Sequence, residues 1–303
     1  MSKKTVATAW LQGCSGCHIS ILDLHQELVE LLGDIEILSS PLVDIKEFPR
    51  VDICLVEGAV GTEGDVRKLQ ELRQKSDVLV ALGTCACFGG ISGLRNLYKK
   101  DEVLEHCYTN VRNVNKNGTI PSSEDVPALL ESVKPVGELA KIDYQIPGCP
   151  PLPGTIKTVL QALITGKEPV LPQRSLCAEC DREQRELLKP TREFIADSVV
   201  AFMELEEIDP VKCFLEQGVL CMGLATREGC HARCLKGNVP CRGCMGPTPG
   251  AMEQGAKLIN SLASVLPAGG LMFMEDIVGT GYRYSMPSSI IPNISRKEEE
   301  IDE

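Results

Sequence analysis

Residues 5–17 read TVATAWLQGCSGC, an apolar run that ends in a turn holding two cysteines. Residues 5–11 have the β-branched and apolar composition of a buried strand, and a helical pattern begins at His18. A strand that passes through a glycine-containing turn into a helix is the first half of a βαβ unit. The stretch therefore predicts an α/β domain with Cys14 and Cys17 at the carboxyl end of its first strand.

The pattern that begins in this stretch continues to about residue 166. Strands are predicted at residues 5–11, 35–39, 51–57, 77–82 and 141–146. Helices are predicted at residues 18–32, 63–75, 87–98, 125–133 and 154–165. In the first of these helices we expect a buried apolar stripe of Ile19, Leu22, Leu28, Leu31 and Leu32. Strands that alternate with helices in this way indicate an α/β fold with a doubly wound parallel sheet.

The composition of the sequence changes near Lys167, where cysteines become frequent and the helical and strand periodicity of apolar residues weakens. We predict that residues 1–168 form the α/β domain and residues 169–250 an irregular, cysteine-rich domain. Residues 251–303 are predicted to hold a returning amphipathic helix and a charged tail. Eight of the 15 cysteines lie between residues 172 and 250. We expect this segment to lack an ordinary apolar core.

Composition excludes several classes of partner. The net charge is −11, and no dense cluster of Lys and Arg offsets it, which argues against binding to nucleic acid or to an anionic membrane. No apolar run is long enough to span a bilayer. The short apolar run near the N-terminus is interrupted by Thr5 and Thr8, which argues against a signal peptide. We therefore expect a cytoplasmic protein.

The cysteine content calls for a chemical explanation. Disulfides are rare in a reducing cytoplasm, and an odd count of 15 does not pair completely. The chain has four histidines, so thiolate must dominate any metal site. The histidines are predicted to be surface or packing residues, although His231 lies between two cysteines.

Four cysteines of the α/β part follow predicted strands and form the first candidate set: Cys14, Cys17, Cys85 and Cys149. The carboxyl ends of parallel strands meet at one edge, where open α/β sheets place their ligands. Four thiolates that converge there suit a [4Fe–4S] cluster. Buried structural cysteines and a Cys₄ zinc site are the alternatives.

The eight later cysteines divide into two sets of four. They are Cys177, Cys180, Cys213, Cys221, Cys230, Cys234, Cys241 and Cys244. Clusters bound there would contribute to the folding of the segment. The alternative is a pair of zinc ribbons, in which the first and last Cys-x-x-Cys pairs make one site. That alternative leaves the four cysteines between those pairs unexplained.

The motifs around the first set resemble those of a known family. Residues 10–17 (WLQGCSGC), 56–58 (VEG), 83–86 (GTCA) and 147–151 (PGCPP) are similar, in this order, to the small subunit of [NiFe] hydrogenases. A subunit of respiratory complex I is a more distant match. The resemblance implies a flavodoxin-like first domain whose four cysteines hold a proximal cluster beside the nickel–iron centre of a partner large subunit.

The resemblance also orders the later cysteines and implies three [4Fe–4S] clusters. The resemblance assigns the distal cluster to Cys177, Cys180, Cys213 and Cys221. It assigns the medial cluster to Cys230, Cys234, Cys241 and Cys244. The chain would then transfer electrons from dihydrogen oxidation in the large subunit. It would hold no catalytic residue, because the large subunits of the family bind nickel with a Cys-x-x-Cys pair near each end. Here no cysteine follows Cys244.

This chain differs in three features from the respiratory [NiFe] hydrogenases, and these features indicate which group of the family it resembles. Cys177 stands where those enzymes have a distal histidine, and Cys234 supplies a fourth medial thiolate in place of a proline. Gly13 replaces a glutamate linked to proton movement, so that role is not carried over. These features, with the missing export signal, are similar to the cytoplasmic methanogen group and its viologen-reducing type.

That type passes electrons through an iron–sulfur adaptor subunit to heterodisulfide reductase. The small subunit of a deazaflavin-reducing hydrogenase is the alternative within the family. A zinc-stabilised scaffold or binding module is the alternative outside it.

Four residues near these motifs have open roles. Glu57 ends a predicted strand. It is either a solvated or helix-capping carboxylate or a group that acts near the first cluster. Cys54 lies within the same strand and is predicted to pack in the core. Cys87 is an alternative ligand two residues after Cys85. Cys107 lies in a polar stretch and has no predicted partner.

Overall fold

A computed structural model describes residues 3–41, 47–110, 118–183, 199–264 and 274–290. The chain divides into two compact units: unit 1 comprises residues 1–169 and 286–303, and unit 2 comprises residues 170–285. The strands are β1 Lys4–Trp10, β2 Ile35–Ser39, β3 Val51–Glu57, β4 Val60–Thr62, β5 Ser76–Leu82, β6 Leu129–Lys134 and β7 Tyr144–Ile146. The helices are α1 Gly16–Leu22, α2 Gln26–Leu31, α3 Glu63–Lys75, α4 Gly83–Phe88, α5 Lys100–Glu105, α6 Pro153–Ile164, α7 Val199–Met203, α8 Arg233–Lys236, α9 Gln254–Ala263 and α10 Ile277–Tyr282.

Unit 1 is built on a five-stranded parallel sheet in the order β2-β1-β3-β5-β7. The first strand lies inside the sheet, between the second and the third, which is the flavodoxin-like order. The predicted α/β fold with a doubly wound parallel sheet is therefore confirmed. The central strand β3 is buried at every position except Asp52, as a strand covered by helices on both faces should be.

Several predicted elements have the expected bounds. The sequence placed β2, β3 and α3 correctly, and α6 within one residue at each end. Helix α3 begins at a capping box: the Thr62 hydroxyl accepts from the Asp65 N–H at 3.0 Å, and the Asp65 carboxylate accepts from the Thr62 N–H at 2.8 Å. Strand β7 is shorter than the predicted strand at residues 141–146.

Two predicted helices are interrupted. The helix expected at residues 18–32 is two helices, α1 and α2, because His25 adopts φ +50° between them. The helix expected at residues 87–98 is also wrong, since α4 ends at Phe88 and a 3₁₀ helix follows at Ile91–Leu97. Gly89 and Gly90 both have positive φ, a backbone conformation that ends a helix.

The predicted apolar stripe of the first helix is partly wrong. Ile19 and Leu22 are 56% and 48% exposed, whereas Leu31 is buried. Helix α1 instead buries Cys17, His18, Ser20 and Ile21.

The helix predicted at residues 125–133 is wrong as well. Residues 129–134 form strand β6, which pairs with β4 in an antiparallel, two-stranded sheet. Ser132 and Val133 are buried on this strand. Pairing with β4 overrides the local helical pattern, because strand formation depends on context more than on intrinsic preference.

Unit 2 has an apolar core of its own, so the expectation that residues 172–250 lack one is wrong. Its largest buried side chains include Phe214, Leu220, Met222, Leu258 and Leu262. The last two belong to α9, which supplies the helical face that residues 172–250 do not. In the described parts of the chain, no helix is both long and apolar enough to cross a membrane.

Candidate metal centre

The first cysteine set lies at one edge of the parallel sheet. Cys14 and Cys17 follow β1, Cys85 lies in α4 directly after β5, and Cys149 follows β7. Burial raises the pKa of the Cys17 thiol far above its ordinary value. The charges of Glu57 and of the other three cysteines raise it further. The four thiols therefore lie within electrostatic range of one another.

Two glycines allow the backbone to approach these sulfurs closely. A Cβ atom on Gly83 would lie 2.3 Å from Cys17 Sγ, and one on Gly90 would lie 2.6 Å from Cys85 Sγ. Both glycines also have positive φ, +85° and +53°. A side chain at either position would displace a thiol, so these glycines are required by the site.

A buried acid–imidazole pair lies beside this set. Glu57 and His18 are 2% and 4% exposed, and His18 Nδ1 lies 2.5 Å from Glu57 Oε2. The same oxygen accepts the backbone N–H of His18 at 3.0 Å. Among the described residues, His18 Nε2 is buried without a hydrogen-bond partner.

Glu57, at the end of β3, therefore caps the first turn of α1. The Ser15 side chain, at the N-terminus of this helix, makes no capping bond. A solvated Glu57 is excluded by its burial. The sequence analysis missed the pairing with His18. The signal in the sequence was limited to the position of His18, which directly follows Cys17 and begins the predicted helix.

The remaining cysteines of unit 1 have other surroundings. Cys54 is fully buried in β3, where burial raises its pKa to about 12. Cys87 is buried in α4, and its thiol donates to the Ala81 carbonyl at 3.5 Å. Cys107 is exposed, in a π-helical turn at His106–Asn110.

In unit 2, the four cysteines assigned to the distal cluster lie together. Burial raises the pKa of Cys177 to about 11, and the charges of Cys213 and Cys180 add to it. Burial likewise raises the pKa of Cys221 to about 12, with contributions from Cys177 and Cys213. A Cβ atom on Gly223 would lie 3.4 Å from Cys177 Sγ and 3.6 Å from Cys221 Sγ, so both sulfurs flank that glycine.

The four cysteines assigned to the medial cluster form two close pairs. Burial raises the pKa of Cys230, and the charge of the neighbouring Cys234 raises it further. Burial raises the pKa of Cys241 well above its ordinary value, and the charges of Cys221 and Cys244 add to it. The Met222 N–H also donates to the Cys241 carbonyl at 3.0 Å, which connects this set to the distal one. His231 is exposed.

Arg182 stabilises the backbone around the distal cysteines. The sequence analysis did not predict this role. Its guanidinium lies 3.8 Å from the centre of the Phe214 ring. The same group donates to the carbonyls of Asp209 and Lys212, at 2.9 and 2.8 Å, and to Asn238 Oδ1. Two segments, at residues 209–214 and at Asn238, are thereby bound to one cation. Only the proximity of Arg182 to Cys180 in the sequence could have signalled this.

The donor chemistry fits iron–sulfur clusters. Each set is all thiolate, and iron in such clusters is held by cysteine. Among the described residues, no three Cys, His, Asp or Glu side chains are placed to hold a single metal ion. The thiolates of a four-iron cluster each bind a different iron atom and so stand further apart than the ligands of one ion.

Comparisons with known proteins agree with this chemistry. The family described as NADH ubiquinone oxidoreductase, 20 kDa subunit, matches residues 14–163. The chain is 44% identical over 285 residues to a subunit of the F420-non-reducing hydrogenase vhu of Methanocaldococcus jannaschii, with 93% of this chain and 94% of that protein covered. It is 34% identical over 307 residues to the iron-sulfur subunit of the F420-non-reducing hydrogenase of Archaeoglobus profundus, covering 92% and 95%.

A solved structure is similar to part of this chain. The matching chain comes from an NAD⁺-reducing [NiFe]-hydrogenase in the H₂-reduced state, with a TM-score of 0.55 and 37% sequence identity. The match covers 56% of this chain and 96% of that chain.

Proposed function

Because the chain belongs to the small-subunit family of F420-non-reducing [NiFe] hydrogenases, we propose that it conducts electrons from the dihydrogen-splitting site of a large subunit to a downstream acceptor. Enzymes of this family are oxidoreductases that act on dihydrogen, and their active site lies in the large subunit. The observation that carries the proposal is the convergence of Cys14, Cys17, Cys85 and Cys149 at the carboxyl edge of the sheet.

In this proposal the first set holds the proximal [4Fe–4S] cluster. A bound cluster takes up and releases one electron at a time. Ordinary thiols are protonated at neutral pH when no iron is bound, and burial and neighbouring charges raise the pKa of Cys17 and Cys149 further. The cysteines must lose these protons to bind iron, so cluster insertion releases protons. Gly83 and Gly90 keep side chains out of the space around the sulfurs.

We assign two further [4Fe–4S] clusters to unit 2. The mutual charge effects within the distal set support one site on Cys177, Cys180, Cys213 and Cys221. The medial site on Cys230, Cys234, Cys241 and Cys244 rests on the two close pairs and on the resemblance to the family. Cys234 supplies a fourth thiolate, which favours four irons over three.

The proximal edge is proposed to be covered by the large subunit. Cys14 is exposed there, and so are Ile19 and Leu22 of α1, which follow Cys17 by two and five residues. Exposed apolar side chains of this kind favour burial in an interface.

We further propose a cytoplasmic location and an exit for electrons through the distal cluster. The acceptors would be an iron–sulfur adaptor subunit and heterodisulfide reductase, as in the viologen-reducing type. The names of the relatives support this type over the deazaflavin-reducing one, because F420 is a deazaflavin.

Metal analysis of the anaerobically purified complex tests the proposal. About twelve irons beyond those of the large subunit are expected for three [4Fe–4S] clusters. Cys85→Ser should lose about four of them, whereas Cys87→Ala should keep all twelve. A colourless preparation that contains zinc would favour the scaffold alternative, and equal losses in the two variants would contradict the ligand assignment.

A further inference from the structure

Glu179 lies between two cysteines of the distal set, yet its side chain reaches the medial set. It is the residue before Cys180 in the pair that begins at Cys177. Its Oε1 atom accepts a hydrogen bond of 2.9 Å from the backbone N–H of Gly229. Gly229 directly precedes Cys230, the first cysteine of the medial set. One side chain therefore links the ligand-bearing segments of both sets.

The two segments are paired along their length. The Leu176 N–H donates to the Thr226 carbonyl at 2.8 Å, and the Glu228 N–H donates to the Arg174 carbonyl at 3.0 Å. Gly229 leaves this pairing with φ +115°, a conformation that side chains disfavour. The hydrogen bond that the Gly229 N–H donates to Glu179 thus holds the backbone immediately before Cys230.

The Glu179 carboxylate also places a negative charge near Cys230. Its second oxygen, Oε2, is buried and has no hydrogen-bond partner among the described residues. Its first oxygen, Oε1, is held by the N–H of Gly229, one residue before Cys230. A negative charge without a cationic partner in these segments therefore acts on the first medial ligand.

We propose that Glu179 is a positioning residue that fixes Cys230 and lowers the reduction potential of the cluster that Cys230 holds. The inference rests on the cluster assignment of the proposed function. A reduced cluster carries one more negative charge than an oxidised one, so a neighbouring carboxylate disfavours reduction. A lower medial potential makes the passage of an electron onward to the distal set more favourable.

Three variants of the assembled complex test the proposal. Glu179→Gln keeps an acceptor for the Gly229 N–H and removes the charge. Its medial cluster should titrate at a higher midpoint potential, followed by EPR, with an unchanged iron content. Glu179→Ala removes the hydrogen bond as well, so its medial cluster should lose iron faster to a chelator. Asp181→Asn is the matched control, because Asp181 also adjoins Cys180 but its side chain is 78% exposed and lies 3.6 Å from Lys236.

An unchanged medial potential in Glu179→Gln, or an equal shift in Asp181→Asn, overturns the proposal. So does an Ala variant that keeps its iron as long as the unaltered complex. The proposed function fails in a different way: the unaltered complex would then show no reducible cluster in unit 2, before any variant is made.

Discussion

Replacing Gly83 by alanine tests whether the first cysteine set is a built site. The new Cβ atom would lie 2.3 Å from Cys17 Sγ, about 1.1 Å short of the 3.4 Å at which ordinary contact begins (3.4 − 2.3). The Gly83 φ of +85° adds strain of about 1–2 kcal/mol for a residue with a side chain. The loop cannot easily move away, because the Thr84 N–H donates to the Gly148 carbonyl at 2.9 Å.

Metal ligands tolerate displacements of only about 0.2 Å, so Cys17 should no longer bind iron in this variant. We expect Gly83→Ala to lose about four irons and the proximal EPR signal, while the clusters of unit 2 remain. Gly154→Ala is the control, since a Cβ on Gly154 meets nothing within 4 Å and alanine favours the helix α6. Full iron content in Gly83→Ala would refute the placement of Cys17 in the site.

Three other changes have definite expected outcomes. Cys180→Ser should leave hydrogen–deuterium exchange by the complex intact but sharply reduce electron delivery to the acceptor, because serine is a poor ligand for cluster iron. Glu57→Gln should lower the free energy of unfolding by about 1.5–3 kcal/mol in denaturant titrations, since a buried charged acceptor is lost. Glu71 is half-buried and pairs with Lys75 four residues on, so Glu71→Gln should change that free energy by under about 0.5 kcal/mol. The iron-free, reduced chain should lose stability as the pH rises from 9 towards 12. Folding raises the pKa of Cys149 to about 11 and of Cys221 to about 12, so the folded state favours the neutral thiols. Denaturant unfolding at several pH values checks this, and a flat profile would contradict it.

The elements that the sequence predicted well are those whose local pattern and final packing agree. Strand β3 is a continuous apolar run that is buried on both faces, and α3 has its own cap and stripe. The elements that failed depend on partners far away in the chain. Strand β6 forms because β4 pairs with it, and the break after α1 rests on one residue, His25, with positive φ.

The candidate site divides in the same way. The first cysteine set was predictable, because strand ends in a parallel sheet converge wherever the turns lie. The groups that support the cysteines were not predictable, because each acts across the fold. Glu57 reaches α1 from β3, and Arg182 bonds to Lys212 and Asn238 and packs on the Phe214 ring. The core of unit 2 was missed because its apolar residues before α9 follow no helical or strand period.

The separation of the first four cysteines along the chain has a consequence for biosynthesis. Cys14 is made 135 residues before Cys149, and Cys149 follows the edge strand β7, the last strand of the parallel sheet in chain order. At ribosomal rates of about 5–20 residues per second, roughly 7–27 s pass between the two. During that interval the nascent chain offers thiols but no complete cradle. If the four cysteines hold the proposed cluster, iron delivery to this site would follow the synthesis of Cys149, and the earlier thiols would have to stay reduced until then.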